Sequence, residues 1–125
     1  MGPRTPSPLD IFYVISLDGV KGAAQENNGR MASFRADWER MCGGHSLDIR
    51  VCAGEMDGRR GFGVTRALIN CLDQSEMDGQ ERAIIFEDDV RLFDAQFCSK
   101  GFRAKLWADA PRDGLLYVLY TSQMV

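Results

Sequence analysis

Four apolar stretches along the chain have the pattern of β-strands. Residues 11–17 (IFYVISL) and 115–120 (LLYVLY) are rich in β-branched and aromatic side chains, a composition typical of buried strands. Residues 83–86 (AIIF) form an unbroken apolar run, which is typical of a strand covered on both faces in a parallel sheet. Residues 47–53 alternate between apolar and polar side chains and predict a strand nearer the edge of the sheet.

Amphipathic stretches separate these strands and predict three helices. They cover residues 30–41, a stretch from Val64 to the turn at Asp78-Gly79, and residues 97–107. The apolar stripes are Met31, Phe34, Trp38 and Met41 in the first helix, Val64, Ala67, Leu68, Cys71 and Leu72 in the second, and Cys98, Phe102 and Leu106 in the third. Strands and helices therefore alternate, which predicts an α/β fold with a mostly parallel sheet and helices on both faces.

Glycines mark the ends of the predicted elements. Gly43-Gly44 ends the first helix, and residues 25–29 form a polar turn before it. The loop at 54–63 is rich in glycine, but it lacks the Lys-Ser/Thr pair of a P-loop and does not match the dinucleotide-binding fingerprint. Its glycines therefore favour a hinge or a close approach of the backbone over a phosphate cradle.

Three consecutive carboxylates, Glu87, Asp88 and Asp89, directly follow the apolar run at 83–86. Ligands of open α/β sheets bind at the carboxyl ends of the strands, so these acids fall where a ligand site is expected. Like charges this close raise one another's pKa, and a divalent cation held by one or two carboxylates and by phosphate oxygens is the simplest remedy. The pattern predicts a metal–diphosphate site, with a solvated acidic exit from the strand as the alternative.

Composition limits the classes of protein to which the chain can belong. With 125 residues, 45% hydrophobic and 26% charged, the chain is expected to form one globular domain. The net charge is −3 and no basic tract is present, which argues against a nucleic-acid partner. No apolar run approaches the roughly 20 residues of a membrane span. Residues 1–10 contain three prolines, lack the apolar core of a signal peptide and predict a flexible lead-in without a readable address.

The cysteines do not form a recognisable metal or redox motif. Cys71 and Cys98 fall on apolar helix faces, which predicts buried and inert thiols. Cys42 and His45 have the spacing of half a zinc site, but no second pair of ligands has matching spacing. His45 is also the only histidine, and no serine lies in a nucleophile elbow, which argues against a Ser-His-Asp triad.

Several of these segments, in this order, resemble glycosyltransferase family 25. The similar segments are IFYVISLD, an arginine that opens a helix containing Phe34 and Trp38, AGEMDG, GFGVTRALINCL, RAIIFEDDVRLF and DGLLYVLY. The resemblance covers nearly the whole chain from residue 11 onward, and IIFEDDV is its most specific part.

The resemblance implies a GT-A-type, Rossmann-like fold that transfers a hexose from a nucleoside diphosphate sugar, most simply a UDP-sugar, to a glycan or protein acceptor. By this analogy Glu87, Asp88 and Asp89 correspond to the acidic element that holds Mn²⁺ or Mg²⁺. Asp89 would bind the metal, Glu87 would face the ribose or a metal-bound water, and Asp88 would steady the loop. The donor pocket would begin at Leu17, Asp18 and Arg30. Asp18 as a simple turn residue and Arg30 as a solvated first-turn residue are the alternatives.

Two departures from the family pattern shape the expectation. Ala67 and Leu68 stand where the family commonly has Ser-His, and residues 11–125 leave no room for an acceptor-binding half. The chain is therefore expected to be an incomplete GT-A-like domain, the donor-binding half of such an enzyme. The alternatives are a non-catalytic interaction module of the same fold and a Mg²⁺-dependent phosphoryl-transfer domain that pairs Asp18 with Asp88 and Asp89.

Overall fold

The computed structural model describes residues 11–43, 48–56, 59, 62–80, 83–91 and 95–109. The strands are β1 (Ile11–Ser16), β2 (Asp48–Ala53) and β3 (Ile85–Glu87), and the helices are α1 (Arg30–Cys42), α2 (Phe62–Met77) and α3 (Lys100–Asp109). Short 3₁₀ turns at Gln25–Asn27 and Gln96–Cys98 precede α1 and α3. The predicted strand at 115–120, the lead-in at 1–10 and His45 lie outside the described residues.

The described strands form a parallel sheet in the order β2-β1-β3. Ile15 of β1 aligns with Cys52 of β2 on one side and with Glu87 of β3 on the other. The predicted α/β class and parallel sheet are therefore confirmed for this part of the chain, and the architecture is compatible with half of a Rossmann-like fold. In this sheet β2 is an outer strand, as its alternating pattern predicted.

An aromatic core fills the face of the sheet that α1 covers. Phe12 and Val14 of β1 point to this face and pack against Phe34 and Trp38 of α1. The Phe12 and Trp38 ring centroids are 5.0 Å apart, and Phe86 of β3 lies within 5.5 Å of both rings. The predicted stripe of α1 is confirmed, because Met31 and Met41 pack at the margin of the same cluster.

A much smaller core lies on the opposite face, under α2. It contains Ile11, Tyr13, Cys52 and Cys71 as buried residues. The buried line of α2 is Ala67, Cys71 and Ser75, whose small side chains let the helix approach the sheet closely. The wider stripe predicted from the sequence is wrong at its edges, because Val64 is 57% and Leu72 43% exposed. Helices therefore cover both faces, but with very different amounts of buried apolar surface.

Each face carries one disulfide, and the prediction of free thiols is wrong. Cys42 at the end of α1 is bonded to Cys98, and Cys52 of β2 is bonded to Cys71 of α2. The sulfurs are buried as the apolar pattern indicated. Their pairing spans 56 and 19 residues of sequence, so it depends on which elements the fold brings together and not on any local spacing.

The third helix differs from its prediction in start and in buried face. Cys98 lies in the preceding 3₁₀ turn, and Ser99 Oγ accepts a hydrogen bond from the Phe102 amide at 3.3 Å. Phe102 and Leu106 are only half-buried, whereas Arg103 is buried and donates to the Phe97 carbonyl at 2.6 Å. The guanidinium carbon of Arg103 also lies 5.7 Å from the centroid of the Phe12 ring.

A polar network fixes the end of α2 near the amino ends of β1 and β2. The Tyr13 hydroxyl donates to Asp78 Oδ2 at 2.8 Å, and Arg50 reaches the same oxygen at 2.8 Å. Burial and the hydrogen bond to Asp78 raise the pKa of Tyr13 to about 12. Burial alone would raise the pKa of Asp78, but hydrogen bonds from Tyr13, Arg50 and Gln74 hold it below its usual value.

Asp78 is expected to make folding sensitive to acid. Because its pKa is lowered in the folded state, its contribution is complete above the unfolded pKa of about 3.9 and is lost as pH falls through the lower folded value. Asp78→Asn should lower the free energy of unfolding at pH 7 by about 1–2 kcal/mol and flatten its decline between pH 5 and pH 2. Urea titrations across that range measure both effects.

Asp73→Asn on the exposed side of α2 is the matched control, and it should change the free energy of unfolding by less than about 0.5 kcal/mol. An Asp78→Asn variant with the same pH dependence as the parent would contradict the assignment.

Candidate functional site

The carboxyl ends of β1 and β3 meet at the point where the chain changes direction across the sheet. From β1 the chain crosses to β2 on one side, and from β2 it crosses back past β1 to β3 on the other. Such a switch point leaves a crevice outside the strand ends, which is where open α/β sheets bind ligands. A cleft opens there, and its lining residues are Ile15, Leu17, Asn27, Arg30, Gly54, Glu55, Gly63, Val64, Ala67, Glu87, Asp88 and Asp89.

Asp88 is the buried anchor of the cleft. It is 5% exposed, and its Oδ2 accepts a hydrogen bond from Ser16 Oγ at 2.6 Å. Its amide donates to the Ile15 carbonyl at 3.2 Å, which extends the pairing of β1 and β3 by one residue. Arg30 Nη1 lies 3.7 Å from the other carboxylate oxygen. Two groups therefore hold the Asp88 side chain and a third holds its backbone, and together they orient the turn that follows β3.

Glu87 and Asp89 flank this anchor and line the open part of the cleft. Both residues are exposed. Although Glu87 is exposed overall, partial burial of its carboxyl group raises its pKa, and the negative charges of Asp89 and Asp88 raise it further. A cation or a hydrogen-bond donor in the cleft would relieve this repulsion. In the described part of the chain, no three His, Cys, Asp or Glu side chains are grouped closely enough to hold a metal by themselves.

Asp18 and Arg30 lie at the start of α1. Asp18 Oδ2 accepts a hydrogen bond from the Met31 amide at 3.0 Å, so this carboxylate satisfies one of the free amides of the first helical turn. Its own amide donates to Ser16 Oγ at 3.0 Å. Arg30 is half-exposed and its guanidinium faces Asp88 at the edge of the cleft.

Five of the six predicted site residues line one cleft. Leu17, Arg30, Glu87, Asp88 and Asp89 do so, and Asp18 does not. Asp18 supports the site indirectly through α1 and Ser16, a role that none of its three interpretations from the sequence included.

Three polar residues of the site, Ser16, Asn27 and Glu55, were not predicted from the sequence. Glu55 lies two residues beyond β2 and could have been found by the same strand-end rule that selected Glu87. Its carboxylate accepts a hydrogen bond from Asn70 at 2.7 Å. Ser16 and Asn27 carried no signal, because a single serine at a strand end and an asparagine in a polar turn are common in any chain.

Gly54 brings the end of β2 against the end of β1. Its amide donates to the Ser16 carbonyl at 2.7 Å. A Cβ atom at this position would lie 2.7 Å from Leu17 Cδ2 and 3.1 Å from the Ser16 carbonyl oxygen. The absence of a side chain at Gly54 therefore allows the two backbones to approach each other closely. Two later glycines of this loop, Gly58 and Gly61, lie outside the described residues.

No match to this chain was found among protein-family models, curated proteins or solved structures. Across the residues that the structure describes, no helix is both long and apolar enough to cross a membrane.

Gly54→Ala tests the close approach of the two strand ends. The added methyl group must displace Leu17 and press on the Ser16 backbone, so the free energy of unfolding should fall by about 1–3 kcal/mol. Chemical denaturation measures this loss. Gly101→Ala is the matched control, because its Cβ would meet only Ser99 Oγ at 3.6 Å inside α3, and it should stabilise the protein by up to about 1 kcal/mol. Equal effects of the two substitutions would contradict the assignment.

Asp89→Asn is expected to lower the pKa of Glu87. After burial, the charge of Asp89 is the largest cause of the raised pKa, and the amide removes that charge while keeping the shape. NMR titration of the Glu87 carboxyl carbon measures the change. Glu55→Gln, in the same cleft but outside the causes of this shift, should leave the Glu87 titration as it is. A Glu87 pKa that moves with Glu55 and not with Asp89 would overturn the electrostatic account.

Proposed function

We propose that the cleft binds the diphosphate of a nucleoside diphosphate sugar through Mn²⁺ or Mg²⁺, and that the chain is the donor-binding part of a GT-A-like glycosyltransferase. The observation that carries the proposal is the pair of exposed carboxylates, Glu87 and Asp89, on either side of a buried and fixed Asp88 at the switch point of a parallel sheet. The reaction would transfer a hexose to a glycan or protein acceptor.

The donor set of the cleft fits a hard divalent cation bound together with its ligand. Mg²⁺ and Mn²⁺ prefer oxygen ligands, and Mg²⁺ usually takes one or two protein carboxylates along with substrate phosphates and water. Glu87 and Asp89 supply two carboxylates, and phosphate oxygens and water would complete the coordination of the metal. When bound, the metal would stabilise the charge that grows on the departing diphosphate.

The other polar groups of the cleft have separate tasks in this proposal. Arg30 offers a guanidinium at the edge of the cleft, which suits an oxygen of the diphosphate. Asp88 is engaged with Ser16 and Arg30, so it acts as a positioning residue rather than as a metal ligand. Leu17 contributes an apolar wall next to Gly54, against which a base or ribose could pack.

The resemblance to glycosyltransferase family 25 adds support of a different kind. Two of the similar segments, IFYVISLD and IIFEDDV, contain β1 and β3, which are neighbours in the sheet. The carboxyl ends of these two strands line the cleft. The Ser-His pair of the family remains replaced by Ala67 and Leu68, and Ala67 lines the cleft. A catalytic base is therefore not assigned.

A non-catalytic interaction module is the second candidate function. It is favoured by the apolar side chains that α2 leaves exposed, among them Ile69 at 51% and Leu72 at 43%. Such residues are typical of a surface that another protein covers. This function predicts no stabilisation by nucleotides and a bound partner that protects α2.

The phosphoryl-transfer alternative is not supported by the position of Asp18. It requires the Asp18 carboxylate to face Asp88 and Asp89, whereas Asp18 Oδ2 is bonded to the Met31 amide and Asp18 does not line the cleft. The Asp18 carboxylate is thus hydrogen-bonded to the first turn of α1 instead of facing Asp88 and Asp89.

A thermal-shift titration with UDP and Mn²⁺ tests the proposed function. Binding to the folded state alone stabilises it by about 2.7 kcal/mol at a ligand concentration one hundred times Kd, which raises Tm by several degrees. UDP without a divalent ion should give a much smaller shift, because Glu87 and Asp89 repel the phosphates when no cation lies between them.

Asp89→Asn should abolish the Mn²⁺-dependent part of the shift, and Asp73→Asn on the exposed side of α2 should preserve it. The same rise in Tm for the parent and for Asp89→Asn would exclude this cleft as the metal–diphosphate site. No rise in the parent, together with a partner that slows hydrogen exchange in α2, would favour the interaction module.

A further inference from the structure

Among the described residues, the wall of the cleft that α2 provides has little apolar packing behind it. In this part of the chain the core on the α1 face has seven buried residues, Phe12, Val14, Phe34, Trp38, Cys42, Ile84 and Cys98. The described core on the α2 face has four buried residues, Ile11, Tyr13, Cys52 and Cys71, with Ile15, Ala83 and Ile85 partly buried around them. The two bonded cysteines therefore make up half of the buried residues of this smaller core, and Cys71 is the member that α2 contributes.

The same disulfide joins the two segments that form one side of the cleft. Cys52 lies in β2 just before Gly54 and Glu55, which line the cleft. Cys71 lies in α2 one helical turn after Ala67 and two turns after Val64, which also line it. None of the four cysteines lines the cleft itself. The Cys42–Cys98 disulfide lies on the α1 face and joins the last residue of α1, at the opposite end of the helix from Arg30, to the turn before α3.

We infer that the Cys52–Cys71 disulfide holds the α2 wall of the cleft in its binding geometry, so that the site is competent only when this bond is formed. The inference deepens the proposed function, on which it rests for its ligand. Disulfides on both faces of a small domain are typical of an oxidising compartment, and the inference requires such conditions.

The burial of this bond makes it a permanent part of the wall rather than a rapid switch. Cys52 is 6% exposed and Cys71 is fully buried, so a thiol reductant cannot reach the sulfurs without an opening of α2. Once reached, reduction by a dithiol such as dithiothreitol transfers two electrons and two protons, gives two cysteine thiols and leaves the reductant as its cyclic disulfide.

Paired serine substitutions separate the two disulfides. We expect Cys52→Ser/Cys71→Ser to bind UDP with Mn²⁺ at least tenfold more weakly than the parent, since apparent affinity falls with the fraction of molecules whose wall is in place. Cys42→Ser/Cys98→Ser removes the disulfide on the other face. Under conditions in which this variant is folded, its Kd for UDP with Mn²⁺ should stay within threefold of that of the parent. Isothermal titration calorimetry measures both values, and hydrogen exchange of the α2 amides reports the wall without any ligand.

Within the Cys52→Ser/Cys71→Ser variant, exchange should quicken in α2 and stay as in the parent in α1, which serves as an internal control that does not depend on the other variant. Binding within twofold of the parent would overturn the inference. So would an equal rise in exchange in both helices, a failure of this variant to fold, or four alkylatable thiols in the parent after it is unfolded without a reductant.

The outcome for the ligand and the outcome for the wall can be told apart. A parent that does not bind UDP with Mn²⁺ contradicts the proposed function, whereas faster exchange confined to α2 still supports the structural role of the disulfide. A parent that binds and a variant that binds equally well would leave the function standing and remove the disulfide from the site.

Discussion

One hydroxyl group joins three of the segments that line the cleft or support it. Ser16 Oγ donates to the buried carboxylate of Asp88 and accepts from the amide of Asp18, whose own carboxylate holds the first turn of α1. The end of β1, the turn after β3 and the start of α1 thus share one set of hydrogen bonds. A buried carboxylate without partners costs free energy, so the Asp88 side chain is expected to keep its hydrogen bond to Ser16. Because Glu87 and Asp89 are the chain neighbours of Asp88, this bond also limits where they can lie.

The two faces of the sheet are stabilised in different ways, and the cleft lies between them. The α1 face has interlocking aromatic rings that fix β1, β3 and α1 to one another. The α2 face has a short line of small side chains, a disulfide and the polar network of Tyr13, Arg50 and Asp78. Asp88 attaches the acidic turn to the end of β1 and the start of α1, and the opposite wall of the cleft depends on a covalent bond.

Much of the fold could be predicted because its signals are local. The β-branched strand at residue 11, the stripe of Phe34 and Trp38, and the turn at Asp78-Gly79 each follow from composition and period within one segment. The acids at the end of β3 were found because carboxylates that follow an apolar strand pattern can be read from the sequence. The parallel sheet then brings this strand end next to Leu17.

What could not be predicted depends on contacts between distant segments. The pairing of the cysteines, the capping role of Asp18 and the burial of Arg103 under the Phe12 ring all require the packed arrangement. The buried face of α2 could not be predicted either, because the helical period indicated a broad apolar stripe. The small residues Ala67 and Cys71 allow the closest approach to the sheet, so the side of the stripe that contains them is the buried one.

The proposed function requires that the acidic end of β3 and the turn that follows it, and no other acidic part of the protein, hold a divalent cation together with a diphosphate. Paramagnetic broadening of backbone amide signals by Mn²⁺ in the presence of UDP is the sharpest test of this requirement. We expect the strongest broadening at residues 15–17 and 87–91, and little at Asp48 and Asp78, the acidic cluster near the other end of the sheet. Broadening centred on Asp48 and Asp78, or spread evenly over the protein, would show that the cation is not held by the cleft.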